Sequence, residues 1–304
     1  MATKKSKTSK KPKTASSTKP TTASKTVKTN TVEKKSSNES LFKGFFARKY
    51  GEKEGILTIF KNPKFYGALL AEIFGTMLLA MLIFSLWPVG VAWSQASNAN
   101  IAIYAFSFIA IIVSVCTLSG ACLNPIITVG MMSTRRMSII RGIMYIIAEI
   151  VGAWLGWLVI NAFHLAGGET AMDVPAMSAI GENQFWMVAM VELVGAIIIG
   201  FFFARAQSFK RSVFTSAAVV AGGIMLALFI GFIVSAAYLG LNNNMAMNPA
   251  IAMMLQIFPT AGENFGEILG GICQALSVYA ILPMLGGVVG FYLADFTARL
   301  SGEN

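Results

Sequence analysis

Apolar residues occur along the chain in six long runs, separated by short polar or glycine-containing segments. Each run is long enough for a helix that crosses the roughly 30 Å hydrocarbon core of a bilayer, which takes about 20 residues. Runs of this length predict membrane-spanning helices. The predicted spans are residues 65–88, 100–120, 139–164, 184–207, 213–240 and 269–297.

Two further apolar segments, residues 122–132 and 247–258, are too short to cross a bilayer. Segments of about 10–14 apolar residues are typical of re-entrant or interfacial elements. Asn is a strong helix N-cap, and Pro is tolerated in the first turn of a helix. We therefore predict a re-entrant half-helix at each of the two Asn-Pro pairs, Asn124-Pro125 and Asn248-Pro249.

The order of these features repeats along the chain. The segment AEIFGT with Glu72 opens the first span, and VELVGA with Glu192 opens the fourth, and each is followed at similar spacing by an Asn-Pro pair. Each half, residues 65–164 and 184–297, holds three spans, so the second half enters the membrane inverted. The pattern predicts an all-α membrane protein of six transmembrane helices plus two half-helices in an inverted 3+3 repeat, with a site near the midplane.

Two half-helices that point their N-termini at the midplane would place two positive dipole ends there. Asn amides and exposed carbonyls would then offer hydrogen bonds to a neutral solute, while cations would be repelled. A single Asn-Pro pair is typical of a turn, but two pairs in register with a repeated Glu favour a pore. We predict that Asn124, Pro125, Asn248 and Pro249 form it.

Composition supports a membrane protein but raises a question about charge. The 304 residues are 55% hydrophobic and only 12% charged, yet the net charge is +10, a combination that also suggests a nucleic-acid binder. Residues 1–64 hold 17 of the 24 basic residues and 4 of the 14 acidic ones. We therefore predict a largely disordered basic tail at 1–64, able to bind anionic lipids, a channel domain at 65–298 and a short C-terminus at 299–304.

The few basic residues outside the tail predict the orientation. They lie in, or within three residues of, the loop between spans two and three, the loop between spans four and five, and the segment after span six. These residues are Arg135, Arg136, Arg141, Arg205, Lys210, Arg211 and Arg299. With six spans, all these loops and both termini fall on one side, which is the positive-inside pattern. We predict a multi-pass protein of the cell membrane with cytoplasmic N- and C-termini.

Three acidic residues lie well inside the spans, away from the span ends: Glu72, Glu149 and Glu192. Intramembrane carboxyls commonly act in function, for example as proton relays, but they can also accept backbone hydrogen bonds from re-entrant loops. The repeated placement of Glu72 and Glu192 favours the structural role, and Glu149 fits either. With one His and three scattered Cys residues, we predict no metal site and no disulfide framework.

These motifs resemble the major intrinsic protein family of aquaporins and glycerol facilitators over about residues 65–298. The resemblance rests on AEIFGT at 71–76, SGACLNP at 119–125, Glu192 and MNPA at 247–250. It implies six tilted helices plus two half-helices, usually assembled as a homotetramer with one pore in each subunit. It also implies passive transport of water or small neutral polyols without a cofactor.

Several residues depart from the family pattern. The first box ends in Ile126 where the family has Ala, as at Ala250; Cys122 replaces a common His, and Glu149 replaces a usual Gln. Ile251 stands where the family has its filter arginine. By the resemblance, the other filter positions fall on Tyr104, Ala236 and Met245.

A filter of Tyr, Ala, Met and Ile has one hydroxyl and no cation, which favours solutes with carbon faces. Pro283 also resembles the glycerol-facilitator pattern. We therefore expect a passive channel for glycerol and water, not an enzyme. The alternatives are a water-selective or other small-solute channel, and a proton-coupled transporter of small solutes that uses the intramembrane acids.

Overall fold

The computed structural model describes residues 56–85, 98–168, 184–208, 212–234, 245–256 and 265–302. Every regular element in these residues is helical. In chain order they are α1 (Ile56–Phe60), α2 (Pro63–Phe84), α3 (Asn98–Cys116), α4 (Pro125–Ser133), α5 (Ile139–Ala166), α6 (Phe185–Ser208), α7 (Val213–Ile233), α8 (Pro249–Gln256), α9 (Phe265–Leu276) and α10 (Leu282–Leu300). A π-helical turn, Ser277–Ile281, joins α9 to α10.

The predicted fold class is confirmed. Five helices of the described residues are long and apolar enough to cross a membrane: α2, α5, α6, α7 and the continuous α9–α10 helix. The sixth span is α3, whose described apolar part, Ile103–Cys116, is shorter. The two short segments with Asn-Pro pairs form α4 and α8. Two predicted segments lie outside the described residues. They are residues 235–240, which were predicted to end span five, and nearly all of the basic tail.

Helix starts follow from local sequence. The side chains of Asn62, Asn124, Ser138 and Ser212 each accept a backbone N–H from the first turn of the helix that follows. These caps satisfy donors that a helix cannot pair internally. Pro63, Pro125 and Pro249 occupy first-turn positions, where the missing N–H removes no helical hydrogen bond.

The helices pack in two equivalent sets, as an inverted repeat requires. Helix α2 packs along α5, and its counterpart α6 packs along α10. The half-helix α4 contacts α10 of the other half, while α8 contacts α5. Helices α3 and α7 contact each other across the centre, and so do α4 and α8. Each half-helix is therefore held by both halves of the chain.

Glycines allow the two long helix pairs to approach closely. A Cβ added at Gly152 of α5 would collide with the carbonyl oxygen of Ile73 on α2. In the other half, a Cβ at Gly286 would lie 2.6 Å from the carbonyl oxygen of Leu193 on α6. Small residues at such crossings let helix backbones pack directly, which is how helices associate in a bilayer.

We expect Gly152→Ala to lower the midpoint of thermal unfolding of the purified full-length chain in detergent. The new methyl group meets backbone, which cannot move aside, and overpacking of this kind costs about 1–3 kcal/mol. The matched control is Gly222→Ala on α7, because a Cβ there meets nothing within 4 Å. Equal midpoints for the two variants would contradict the close α2–α5 crossing.

Candidate functional site

The N-termini of the two half-helices meet through a pair of crossed hydrogen bonds. The Asn124 Nδ2 atom donates to the Met247 carbonyl at 2.9 Å, and the Asn248 Nδ2 atom donates to the Leu123 carbonyl at 3.0 Å. Each Oδ1 atom caps its own helix, accepting from the N–H of Ile126 in one half and of Ala250 in the other. Each Asn thus caps its own half-helix and holds the opposite loop.

Two buried carboxylates support the loops that lead into the half-helices. Glu72 accepts the backbone N–H groups of Cys122 at 3.1 Å and Leu123 at 2.7 Å. Glu192 does the same in the other half, accepting from Ala246 at 2.6 Å and Met247 at 2.9 Å. Both carboxylates are completely buried, so they replace water as the acceptor for irregular backbone.

The loop backbone is strained where the carboxylates hold it. Ala121, Leu123 and Met247 have φ values of 52°, 52° and 44°, in the left-handed region that non-glycine residues rarely adopt. Such backbone can turn successive N–H groups toward one anion. The hydrogen bonds to Glu72 and Glu192 offset a strain of about 1–2 kcal/mol per residue.

A matched pair of tyrosines packs beside the site. Tyr145 and Tyr279 are both fully buried and occupy corresponding positions of the two halves. The Tyr145 hydroxyl donates to the Ser119 carbonyl at 3.0 Å, just ahead of the loop that Glu72 holds. The first loop is therefore held at three points, by Tyr145, Glu72 and Asn248.

A cavity of about 30 Å³ lies against both Asn side chains. That volume is enough for roughly one or two water molecules. Its walls are isoleucines, leucines and Phe108 from α2, α3, α6 and α7, together with the loop residues 122–124 and 246–248. Of the described residues that line it, none is charged. The Asn amides are therefore the main side-chain polar groups at this cavity.

Comparison with known proteins gives the family. The family model described as "Major intrinsic protein" matches residues 59–293, more than three quarters of the chain. The chain belongs to the major intrinsic protein family. Members of this family are membrane channels, so the chain is a channel protein and not an enzyme.

Individual relatives agree with this family membership. Aquaporin-4 of Rattus norvegicus is 28% identical over 275 residues, which cover 83% of this chain and 76% of the relative. A probable aquaporin, AqpM, of Archaeoglobus fulgidus is 27% identical over 198 residues, covering 64% and 74%. The solved aquaglyceroporin from Plasmodium falciparum shares the fold, with a TM-score of 0.53, 16% identity and coverage of 78% and 97%.

The structure brings together all six residues predicted for the two Asn-Pro boxes. Pro125 and Pro249 begin α4 and α8, and Ile126 and Ala250 follow them, both fully buried. Ile126 departs from the family's Ala, and Gly287 on α10 accommodates it, since a Cβ at Gly287 would meet Ile126. The larger side chain is thus matched by a glycine on the neighbouring helix.

The predicted filter residues of this major intrinsic protein are dispersed among several elements. Tyr104 is partly buried on α3, and Met245 is partly buried ahead of α8, with its sulfur beside Gly231 of α7. Ile251 is 0% exposed within the core. None of these three lines the cavity at the Asn residues, and Ala236 lies outside the described residues. The filter stays a prediction.

Thr128 is a site residue that sequence analysis missed. Its hydroxyl donates to Glu149 Oε1 at 2.6 Å, and both residues are completely buried. The sequence feature that could have identified Thr128 is its position four residues after Asn124, on the half-helix face that packs against α5. Glu149 therefore contacts the half-helix itself, whereas Glu72 contacts the loop before it. The described residues contain no cluster of three metal-ligating side chains.

We expect Glu192→Leu to destabilise the protein strongly, because the N–H groups of Ala246 and Met247 would lose their acceptor. A buried unsatisfied donor costs about 1–3 kcal/mol. Glu192→Gln is the matched comparison, since its amide oxygen keeps one acceptor at nearly the same volume. The measurement is the thermal unfolding midpoint in detergent. If the Leu variant is as stable as the Gln variant, the loop does not depend on this carboxylate.

Proposed function

We propose that this channel conducts small neutral solutes passively, with glycerol and water as the main ones. The observation that carries the proposal is the crossed pair of Asn amides beside the cavity. A primary amide has two N–H donors, and each Asn uses one of them on the opposite loop. The second donor of each is available to a solute, because Asn124 and Asn248 keep 5% and 3% of their surface exposed.

The electrostatics of the site favour neutral solutes over cations. Helices α4 and α8 direct their N-termini, which carry partial positive charge, toward the crossed Asn pair. The carboxyl oxygens of Glu72 and Glu192 accept backbone N–H groups and have no exposed surface. A cation at the Asn pair would therefore meet two positive helix ends and no charged side chain of the cavity wall.

The apolar character of the path favours glycerol alongside water. Outside the loops, the described cavity wall is formed by aliphatic side chains and one Phe, which suit the carbon face of a polyol. The proposed filter of Tyr104, Ala236, Met245 and Ile251 carries a single hydroxyl. A water-selective channel is the main alternative. For proton-coupled transport, Glu149 is the available carrier, but it is fully buried and does not line the cavity.

We further propose the cellular setting from charge and surface pattern. The one-sided basic residues support cytoplasmic termini in the plasma membrane. Large apolar side chains such as Phe106, Trp186 and Phe296 are exposed on the helices, as expected where lipid or another subunit covers them. A homotetramer with one pore per subunit, and a basic tail on anionic lipid headgroups, complete the proposal.

We expect Asn248→Leu to abolish the water and glycerol permeability that the full-length chain confers on proteoliposomes. The substitution removes the amide from the cavity and leaves the Leu123 carbonyl without its partner. The measurement is light scattering after an osmotic step with impermeant solute, and separately with glycerol. We expect protein-dependent flux to fall to the level of empty liposomes for both probes.

The matched control is Asn161→Leu, which makes the same change on α5 away from the cavity wall. It should conduct both probes like the unsubstituted chain. Size-exclusion profiles in detergent check that both variants are folded. Undiminished flux through a folded Asn248→Leu variant would refute the solute path, and water flux without glycerol flux would replace the glycerol proposal with the water-selective one.

A further inference from the structure

Isoleucines form much of the wall of the cavity at the Asn pair. They are Ile83 on α2, Ile111 and Ile112 on α3, Ile199 on α6 and Ile224 on α7. A β-branched side chain in a helix is held in one strongly preferred χ1 rotamer. These side chains therefore do not widen the cavity by changing rotamer, and the space beside Asn124 and Asn248 has a nearly fixed width.

Phe108 on α3 is the exception in this aliphatic wall. Of the described residues that line the cavity, it is the one with an aromatic side chain. It packs in the hydrophobic core and keeps 3% of its surface exposed, the same fraction as Asn248. Phe108 is thus a core residue that also borders the cavity at the two Asn side chains.

The two halves of the chain line the cavity in equivalent ways except at this ring. Leu79 and Ile199 both line it, and each lies about two helical turns after the buried glutamate of its half. On the helices that cross at the centre, the lining residues include a pair one turn apart, at positions 108 and 112 of α3 and at 224 and 228 of α7. Ile224 thus stands in the second half where Phe108 stands in the first. The repeat itself does not require an aromatic ring here.

The ring lies at a different depth from the proposed filter. Tyr104, the filter position on the same helix, comes one turn before Phe108 and does not line the cavity. One turn of helix corresponds to about 5 Å along its axis. A solute that has passed the filter therefore meets the Phe108 ring at a second point, where it also meets the Asn amides.

The ring matters because the cavity is small. Its volume of about 30 Å³ suits roughly one or two water molecules, whereas glycerol has three carbons and three hydroxyls. Glycerol must therefore press against the wall as it passes the Asn pair, and water need not. Crowding against a well-packed wall costs free energy because its side chains must leave their preferred positions. The ring also offers no hydrogen bond of the ordinary kind in return.

We propose that Phe108 is a specificity-determining residue, whose ring narrows the path at the Asn pair and slows glycerol more than water. The ring's place on the wall of the cavity, its burial in the core and the isoleucines around it carry this inference. It rests on the proposed channel function, and it adds a size limit at the middle of the path to the filter proposed above.

The test compares the glycerol and water permeabilities of the full-length chain with those of Phe108→Val in proteoliposomes. The readout is the ratio of glycerol to water permeability, which does not depend on the amount of protein reconstituted. Removal of the ring should raise this ratio at least about fivefold, the change that relief of about 1 kcal/mol of crowding produces. Phe108→Leu keeps more of the core packing and should raise the ratio by a smaller factor.

A variant of the opposite sense and a matched control complete the set. Ile224→Phe adds a ring at the corresponding position of the second half and should lower the ratio below that of the unsubstituted chain. Phe106→Val makes the same change as Phe108→Val on the same helix, at a side chain that is 68% exposed and does not line the cavity. It should leave the ratio unchanged. Size-exclusion profiles in detergent check that each variant is folded.

The outcomes separate this inference from the proposed function. Water flux without glycerol flux in the unsubstituted chain, with glycerol flux gained in Phe108→Val, would support the ring as the barrier and make water the native solute. An unchanged ratio in folded Phe108 variants, or an equal rise in Phe106→Val, would overturn the inference and leave the channel intact. If Phe108→Val does not fold, Phe108→Leu and Ile224→Phe decide in the same way. Absence of flux in every protein would refute the channel function and this inference with it.

Discussion

Irregular backbone near the middle of this helical bundle must find hydrogen-bond partners inside the protein, and the rest of the structure depends on how it does so. A bilayer offers no partners to lipid-exposed N–H and C=O groups, so non-helical segments persist at membrane depth only where they are buried or line a water-filled path. Here Glu72 and Glu192 accept hydrogen bonds from the loop N–H groups, and Asn124 and Asn248 each donate a hydrogen bond to a carbonyl of the opposite loop. Support of the backbone and display of polar groups to a solute thus come from the same few residues.

The duplicated architecture explains why this arrangement is stable. Each half-helix contacts a long helix of the opposite half, α4 with α10 and α8 with α5. The long helices can lie close enough to fix the loops because glycines such as Gly152 and Gly286 bring their backbones into direct contact. Rigid crossings and crossed Asn bonds leave little freedom at the centre. The polar cluster around Glu149 is a point where the two halves differ, since Pro283 and Ala252 stand in the second half where Glu149 and Thr128 stand in the first.

Most of the fold could be predicted from the sequence, because it depends on the lengths of apolar runs and on motifs that repeat at a fixed spacing. Six apolar runs gave the spans, and the two Asn-Pro pairs gave the starts of α4 and α8 where the structure has them. The repeat around Glu72 and Glu192 predicted two supported loops. These features depend on residue type and spacing alone, so a single sequence carries them.

What the sequence could not provide was the set of contacts between distant segments. The hydrogen bond from Thr128 to Glu149, the Tyr145 hydroxyl on Ser119, and the glycine opposite Ile126 join elements whose relative rotation no local pattern specifies. The proposed filter shows the same limit, since Ala236 lies outside the described residues and the other three positions do not line the cavity. Helix periodicity predicts which residues are buried, but tertiary packing decides what they touch.

The central claim is passive conduction of a neutral solute past two amides, in a cavity where none of the described lining residues is charged. Glycerol flux into proteoliposomes of the full-length chain, measured with and without a transmembrane proton gradient at one fixed internal pH, tests it most directly. The account predicts a flux that rises linearly with glycerol concentration and is the same in both conditions. A saturable flux that requires the gradient, or no protein-dependent flux at all, would contradict it.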